Sequence, residues 1–442
     1  MKESSKDHTQ QPELLASLSE VHSSISVPEG AGFWKKMMAF TGPGLLVAVG
    51  YIDPGNWATD IEGGSRFGYT LLSVILISNL FAMLLQHLSL KLGIAIGRDL
   101  AQACRDYYSR PVSFVLWILS EIAIAATDLA EVIGSAIALN LLFGLPLPVG
   151  VVFTALDVLL VLYFQQKGFR IIESIVAGLM GIILLCFGYE MIVSQPSVAG
   201  MLDGLIPKAE IVTNPGMLYI AIGILGATVM PHNLYLHSSI VQTRAFKKDE
   251  AGKKSAIKFA TIDSTVSLGL AFFINGSILI LAASAFHKNG HFTVADITDA
   301  YHLLDPILGV SLAGVFFALA LLASGQSSTL TGTLAGQIVM EGFLNIRLKA
   351  WVRRLITRGI AIVPALIVAS IYGEKGTAEL LVLSQVILSL QLSFAVVPLV
   401  FFTSNKKIMG KFANSRILTL ISWTITLVII GLNTFLLYKT FF

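Results

Sequence analysis

Apolar residues run in blocks of about 20 along almost the whole chain, each long enough for one helix to cross a bilayer. The blocks centre near Val49, Ile77, Ile124, Leu156, Met180, Leu225, Leu270, Phe317, Val363, Leu388 and Ile425, which predicts about eleven transmembrane helices. A large soluble α/β core would need polar faces on these helices, and the blocks lack them. Two blocks are interrupted. Asp53-Pro54-Gly55-Asn56 and Met230-Pro231-His232-Asn233 each place a proline and polar side chains in the middle of an apolar run. Proline removes a backbone donor and clashes with the preceding turn, so both helices should open there. Opened backbone at membrane depth is tolerated only where it lines a protein-enclosed cavity.

The interruptions divide the chain into halves of similar plan. About five spans run from Asp53 to Met191 and about five more from Met230 to Val400. An odd number of spans per half makes the second half enter the membrane from the opposite side, the arithmetic of an inverted repeat. Aligning the motifs sets Pro54 on Pro231, Asn56 on Asn233 and Asp53 on Met230. The expected fold is an all-α polytopic membrane protein with this layout: a disordered cytoplasmic tail over residues 1–37, a first repeat over 38–192, an extracellular loop over 193–214, a second repeat over 215–403, and a cytoplasmic loop with one extra helix over 404–442.

Composition agrees. The chain is 55% hydrophobic and only 13% charged, against about 25% charged residues in soluble domains. The net charge of +3 carries little information, but its distribution carries more. With a cytoplasmic N-terminus, the predicted inner loops hold Arg98, Arg105 and Arg110, then Lys167 and Arg170, then the cluster from Arg244 to Lys258, and further clusters at 347–358 and 406–416. The other side keeps Arg66, Lys208, Lys288 and Lys375. A bias of roughly five to one is strong positive-inside evidence, and the hydropathy argues against reading these clusters as a nucleic-acid surface. Cys104 and Cys186 fall in a predicted inner loop and a helix, which predicts no structural disulfide and no cysteine metal motif. His287, His291 and His302 share a longer loop, and their spacing fits solvated side chains better than a ligand set.

Candidate chemistry gathers at the interruptions. A carboxylate at a helix centre costs about 2.5–3.5 kcal/mol on insertion scales, so Asp53 is expected to face a cavity and to do more than cap the half-helix after Pro54. Asn56 adds a neutral oxygen and Met230 a thioether. Together with freed carbonyls, this set suits Mn²⁺, Fe²⁺, Co²⁺ or Cd²⁺ better than Ca²⁺ or Mg²⁺, which prefer oxygen throughout. His232 can serve as ligand, proton relay or packed core residue, and relay is favoured because an imidazole changes charge near neutral pH. Glu121, Asp128 and Glu131 fall within about 80° of one another on one helix, an acidic stripe suited to a proton path or an ion-pair track. Arg353, Arg354 and Arg244 are candidate cations for it. Gln385 and Gln391 lie in an otherwise apolar span, where Gln385 is weighed equally as a metal or gating contact and as a helix–helix hydrogen bond.

With these motifs and the run Gly325-Gln326-Ser327-Ser328-Thr329 to Gln337-Ile338-Val339-Met340-Glu341-Gly342, the chain resembles bacterial members of the Nramp family of divalent-metal transporters from about Phe40 to Phe441. The resemblance implies a LeuT-type fold of two inverted five-helix repeats plus one extra helix, and import of Mn²⁺ with protons. It implies metal ligation by Asp53, Asn56 and Met230 with the carbonyls of Gly50 and Ala227, and an approach by Gln385. It implies proton-linked roles for Asp53, Glu131 and His232, with Asp128, Glu121, Arg244, Arg353 and Arg354 in the polar network. Ser393 stands where many relatives have proline.

The expected protein is therefore a monomer in the cytoplasmic membrane with no enzymatic activity. It needs no resident cofactor, and its partners are a divalent metal ion, protons and the bilayer. A Na⁺-coupled amino-acid symporter of the same architecture is the alternative, although its broken helices would normally present Gly- and Ser-rich backbone to a substrate carboxylate. A metal-using membrane enzyme would need several His or acidic ligands near an open position, and the sequence displays no such set.

Overall fold

The computed structural model describes residues 17–28, 30–156, 163, 168–310, 312–346, 349–371 and 373–441. The described chain is almost wholly helical. A short helix, α1 (Phe33–Phe40), leads into α2 (Pro43–Gly50) and α3 (Pro54–Phe67), the two halves of the first broken span. Then come α4 (Leu72–Ile96), a connecting helix α5 (Leu100–Tyr107), α6 (Arg110–Phe143), α7 (Leu147–Phe153) and α8 (Phe169–Ser194). The second repeat opens with another broken pair, α9 (Pro215–Thr228) and α10 (Pro231–Ile240). It continues with α11 (Glu250–Ala285), a loop helix α12 (Ile297–Leu308), α13 (Ala313–Leu344), α14 (Ala350–Ile371) and α15 (Gly373–Ser404), after which α16 (Arg416–Phe441) stands outside the repeat.

Among the described residues, eight helical stretches are long and apolar enough to cross a membrane, and Leu147–Leu156 and Arg358–Ile371 are shorter apolar helices. One of the eight, Pro54–Ile96, contains both α3 and α4; the chain turns between them at Gly68, whose φ of 58° suits a residue without a side chain. Most of the span expected around Leu156 lies outside the described residues.

Local sequence explains where the central helices start. Pro43, Pro54, Pro215 and Pro231 all occupy first-turn positions, where a missing N–H costs nothing because that donor has no helical partner. The two broken spans lie antiparallel, α3 against α9 and α2 against α10. This is the arrangement an inverted repeat demands. Around this pair α11 packs on α2, α3 and α4, α13 packs on α6 and α8, and α15 packs on α6 and α9. Glycines permit the close approaches. A β-carbon at Gly134 of α6 would collide with the Pro54 ring, and one at Gly64 of α3 would lie 2.7 Å from the Ala282 side chain of α11. Small residues at crossing points are how membrane helices gain packing energy where no solvent is expelled.

The tail departs from expectation. Residues 1–16 lie outside the described residues, but from Ser17 the chain is docked rather than free. Leu18 and Ile25 are buried, Leu18 N–H donates to Glu341 Oε2 at 3.0 Å, and Ser23 N–H donates to the Gln242 carbonyl at 3.0 Å. Strand β1 (Ile25–Ser26) then pairs in parallel with β2 (Arg244–Ala245). Four apolar side chains, Leu18, Val21, Ile25 and Val27, are too sparse in this polar segment for a periodicity to register, yet they suffice when fixed hydrogen-bond partners await the backbone. The loop carrying the three histidines also holds more structure than expected. His302 lies on α12, and His287 Nδ1 donates to the Ser65 carbonyl at 2.9 Å.

Candidate metal centre

Each broken span is opened by its proline in the same way. A residue preceding proline is pushed to extended backbone, and Asp53 (φ −65°, ψ 166°) and Met230 (φ −65°, ψ 123°) both adopt it. A proline also brings no N–H to the carbonyl four residues earlier. Pro54 thereby withholds the helical donor from Gly50, and Pro231 withholds it from Ala227. These are the two carbonyls that the family resemblance nominates as ligands.

Side chains from three helices converge on the gap. Asp53 caps α3: its Oδ1 accepts from Asn56 N–H at 2.9 Å and from Asn56 Nδ2 at 2.8 Å. Its Oδ2 is buried without a hydrogen-bond partner, so capping engages one oxygen and leaves the other for different work. Asn56 Nδ2 also reaches across to the Ala227 carbonyl at 3.1 Å, joining the two broken spans at one point. Asn275 of α11 holds the first gap open, donating to the Tyr51 carbonyl at 2.7 Å and to Asn56 Oδ1 at 3.3 Å. Trp57 Nε1 and Ser324 Oγ both serve the carbonyl of Ile52.

Gln385 packs on Gly55, at the position a β-carbon would take. Its Nε2 donates to Ser384 Oγ at 3.0 Å, and its Oε1 has no hydrogen-bond partner. Met230 is fully buried with Ala123 and Leu388. Among the described residues no group of three or more His, Cys, Asp or Glu is arranged to hold a metal ion. The candidate centre is of another kind: one carboxylate, a carboxamide, carbonyls without helical donors, and a thioether at the second break. Such a donor set fits a cation of intermediate softness.

On one side of the gap, Gln86 Nε2 donates to the Tyr51 hydroxyl at 2.7 Å, and Gln86 Oε1 meets His237 Nδ1 at 2.9 Å. At the opposite end a cavity of about 570 Å³ is lined by Glu62, Asp296, Asp299 and Glu379, among others. Carboxylates at a narrow mouth attract cations and raise their local concentration.

The acidic stripe on α6 divides. Glu121 is half-buried and accepts from Trp117 Nε1 at 3.1 Å, whereas Asp128 and Glu131 are fully buried. Both face Gly332 of α13, where a β-carbon would lie 2.9 Å from Glu131 Oε1 and 3.6 Å from Asp128 Oδ1. Glu131 Oε2 accepts from Thr329 Oγ1 at 3.0 Å and lies 3.6 Å from Arg358 Nη1. His232 Nδ1 lies 3.5 Å from Thr127 Oγ1, in the residue next to Asp128.

Among the described residues Arg358, which the sequence pattern groups with loop charges, faces this stripe, and Arg244 does not. Arg244 is fully buried elsewhere, 2.6 Å from Glu173 of α8. It also donates to the carbonyls of Ala39 at 3.1 Å and Thr41 at 2.8 Å, at the α1–α2 junction. Arg170 grips the same junction through Thr41 at 2.7 Å, and Asp263 accepts from Gly44 N–H at 2.7 Å. Arg353 and Arg354 lie on α14, and their side chains fall outside the described residues. Asn275, Glu173 and Arg358 were missed, although an amide inside Phe-Phe-Ile-Asn-Gly-Ser-Ile is a legible signal.

A profile of Natural resistance-associated macrophage protein-like (Nramp) sequences matches residues 44–439. The chain belongs to the Nramp family. A divalent metal cation transporter, MntH, of Listeria innocua is 64% identical over 438 residues, covering 99% of this chain and 98% of that protein. The crystal structure of a manganese transporter of Eremococcus coleocola, in complex with an aromatic bis-isothiourea substituted compound, is 44% identical with a TM-score of 0.89, over 95% of this chain and 90% of that one. Mhp1, a nucleobase-cation-symport-1 transporter, matches in fold alone, with a TM-score of 0.60 at 15% identity over 90% and 93% of the two chains. This Nramp chain is accordingly a multi-pass membrane transporter of divalent metal ions, with the LeuT-type inverted-repeat fold and no enzymatic role.

Proposed function

We propose that the chain imports Mn²⁺ together with protons across the cytoplasmic membrane, accepting Fe²⁺, Co²⁺ and Cd²⁺ at the same site. The observation that carries the reading is the bridge from the Asp53 carboxylate through Asn56 to the Ala227 carbonyl. It supports a reading in which a carboxylate oxygen and a carbonyl deprived of its helical donor serve one ion. Asp53, Asn56 and Met230 supply side-chain donors, Gly50 and Ala227 supply carbonyls, and Gln385 approaches from α15. The Eremococcus relative is a manganese transporter, which supports the choice of metal.

Metal enters through the acidic mouth, sheds most of its water and binds between the breaks; rocking of the repeats then exposes it to the other side. Protons pass by Asp53, His232, Asp128 and Glu131, with Glu121 at one end and Arg358 holding Glu131. The N-terminus is cytoplasmic, so the clasp of Arg170, Arg244, Glu173 and Asp263 faces the cytoplasm. Each positive charge moved inward gains about 2.3 kcal/mol per 100 mV, which favours import of a doubly charged ion. The repeats span 38–192 and 215–403, and one copy suffices, because both breaks come from a single chain. Nothing favours the amino-acid symporter, whose carboxylate-bearing substrate would meet the Asp53 carboxylate.

Purified protein in proteoliposomes, loaded with a pH-sensitive dye, tests this directly. Mn²⁺ uptake should acidify the lumen under an inward-negative potential, and Asp53→Ala should abolish both signals. Uptake at the wild-type rate in that variant removes the site from consideration, and uptake without acidification removes the proton coupling.

A further inference from the structure

The two prolines pose the same problem in the two repeats, and the structure shows a different answer in each. Asn56 follows Pro54 by two residues and donates Nδ2 to Ala227 of the opposite repeat at 3.1 Å. Asn233 follows Pro231 by two residues and is its counterpart. Its carboxamide packs on Gly50, the counterpart of Ala227: a β-carbon on Gly50 would collide with Nδ2 and lie 3.2 Å from both Cγ and Oδ1. Asn233 is fully buried, and neither polar atom of its side chain has a hydrogen-bond partner. An uncommitted amide buried beside a carbonyl deprived of its helical donor is costly unless some stage of the cycle joins the two.

Inverted repeats supply that stage. The halves are pseudo-equivalent, so a contact made on one side of the axis in one orientation has its counterpart on the other side when the carrier faces the opposite way. We infer that Asn233 is a positioning residue for transport: it donates to the Gly50 carbonyl, as Asn56 does to Ala227, and so stabilises the metal-free carrier as it reorients. The inference rests on the metal-transport reading above and goes beyond it, because Asn233 acts on the return step and contributes no ligand to the ion.

Net uptake into metal-free vesicles requires that return step, whereas exchange of labelled Mn²⁺ into Mn²⁺-loaded vesicles does not. Asn233→Leu keeps the branched shape and removes the donor. It should lower maximal net uptake about tenfold, the effect of one lost hydrogen bond on a rate-limiting step. Exchange rate and its KM should stay within about twofold of wild type on the same rate scale. Asn233→Ser, which restores a short donor, should recover part of net uptake and carries the test if the leucine variant does not fold. Equal losses in both modes would show a merely structural residue, a raised exchange KM would show a direct ligand, and unchanged net uptake would show no role; each overturns the inference. Absence of both modes in the wild type would instead overturn the transport reading itself.

Discussion

Replacing Arg358 with Gln should damage this protein more than the loss of one hydrogen bond suggests, and a second substitution should repair the damage. Arg358 is 1% exposed, and its Nη1 lies 3.6 Å from Glu131 Oε2, which is itself fully buried. At that separation the attraction is about 4–5 kcal/mol for an effective dielectric near 20. Desolvation of both groups offsets much of it, so the intact pair adds little net stability. Breaking it is different: an abandoned charge in a buried site costs about 3–5 kcal/mol. Thr329 would also lose the Arg358 donor 3.4 Å away. Arg358→Gln should therefore lower the unfolding midpoint of the detergent-solubilised protein markedly. Glu131→Gln on top of it should raise the midpoint again by removing the stranded charge, while Thr329 still finds an acceptor in the amide. The assay is a double-mutant cycle by thermal unfolding, checked for monodispersity. If the two substitutions simply add, the pair is not coupled and the assignment of Arg358 to the stripe is wrong.

Three further outcomes follow. Met230→Ala should weaken Cd²⁺ uptake more than Mn²⁺ uptake and relax exclusion of Ca²⁺, because it deletes the soft donor; unchanged competition profiles would count against sulfur ligation. Gly134→Val should abolish Mn²⁺ uptake by driving a side chain into the Pro54 ring, whereas Gly178→Val, with nothing within 4 Å of a new β-carbon, should be nearly silent; equal behaviour would mean that the break tolerates displacement. Asp99 caps α5 outside the spans, and burial pushes its carboxyl up to about 6 from an ordinary 3.8. The folded chain then binds this proton more tightly than the unfolded chain, so the stability Asp99 contributes is lost as pH rises from about 4 to about 6. Asp99→Asn keeps a capping oxygen, and its advantage over wild type should grow across that window to at most about 3 kcal/mol; parallel pH profiles would contradict it.

The fold was legible because membrane helices must be apolar for their full length and because proline acts on its own neighbourhood. Pro54 and Pro231 determine where the helices open and which carbonyls lose their donors, with no reference to distant parts of the chain. Asp53 and Asn56 were legible for the same reason, since a polar group in an apolar run stands out. Partnerships were not legible. Arg244 and Arg358 are equally basic in the sequence, and only tertiary packing sends one to Glu173 and the other to Glu131. How Met230 and His232 stand to each other was not legible either: Met230 is the extended cap residue and His232 sits in the first turn after it. The docking of residues 17–28 depends on acceptors at Glu341 and Gln242, hundreds of residues away.

The proposed metal site is a mid-membrane cage of mixed oxygen and sulfur, built where two prolines open antiparallel helices. X-ray absorption at the metal edge of the Cd²⁺-loaded protein reads the donor atoms themselves. A single sulfur neighbour among oxygens, lost in Met230→Ala and retained in Met340→Ala, is the predicted result. An all-oxygen shell in the unaltered protein contradicts the account.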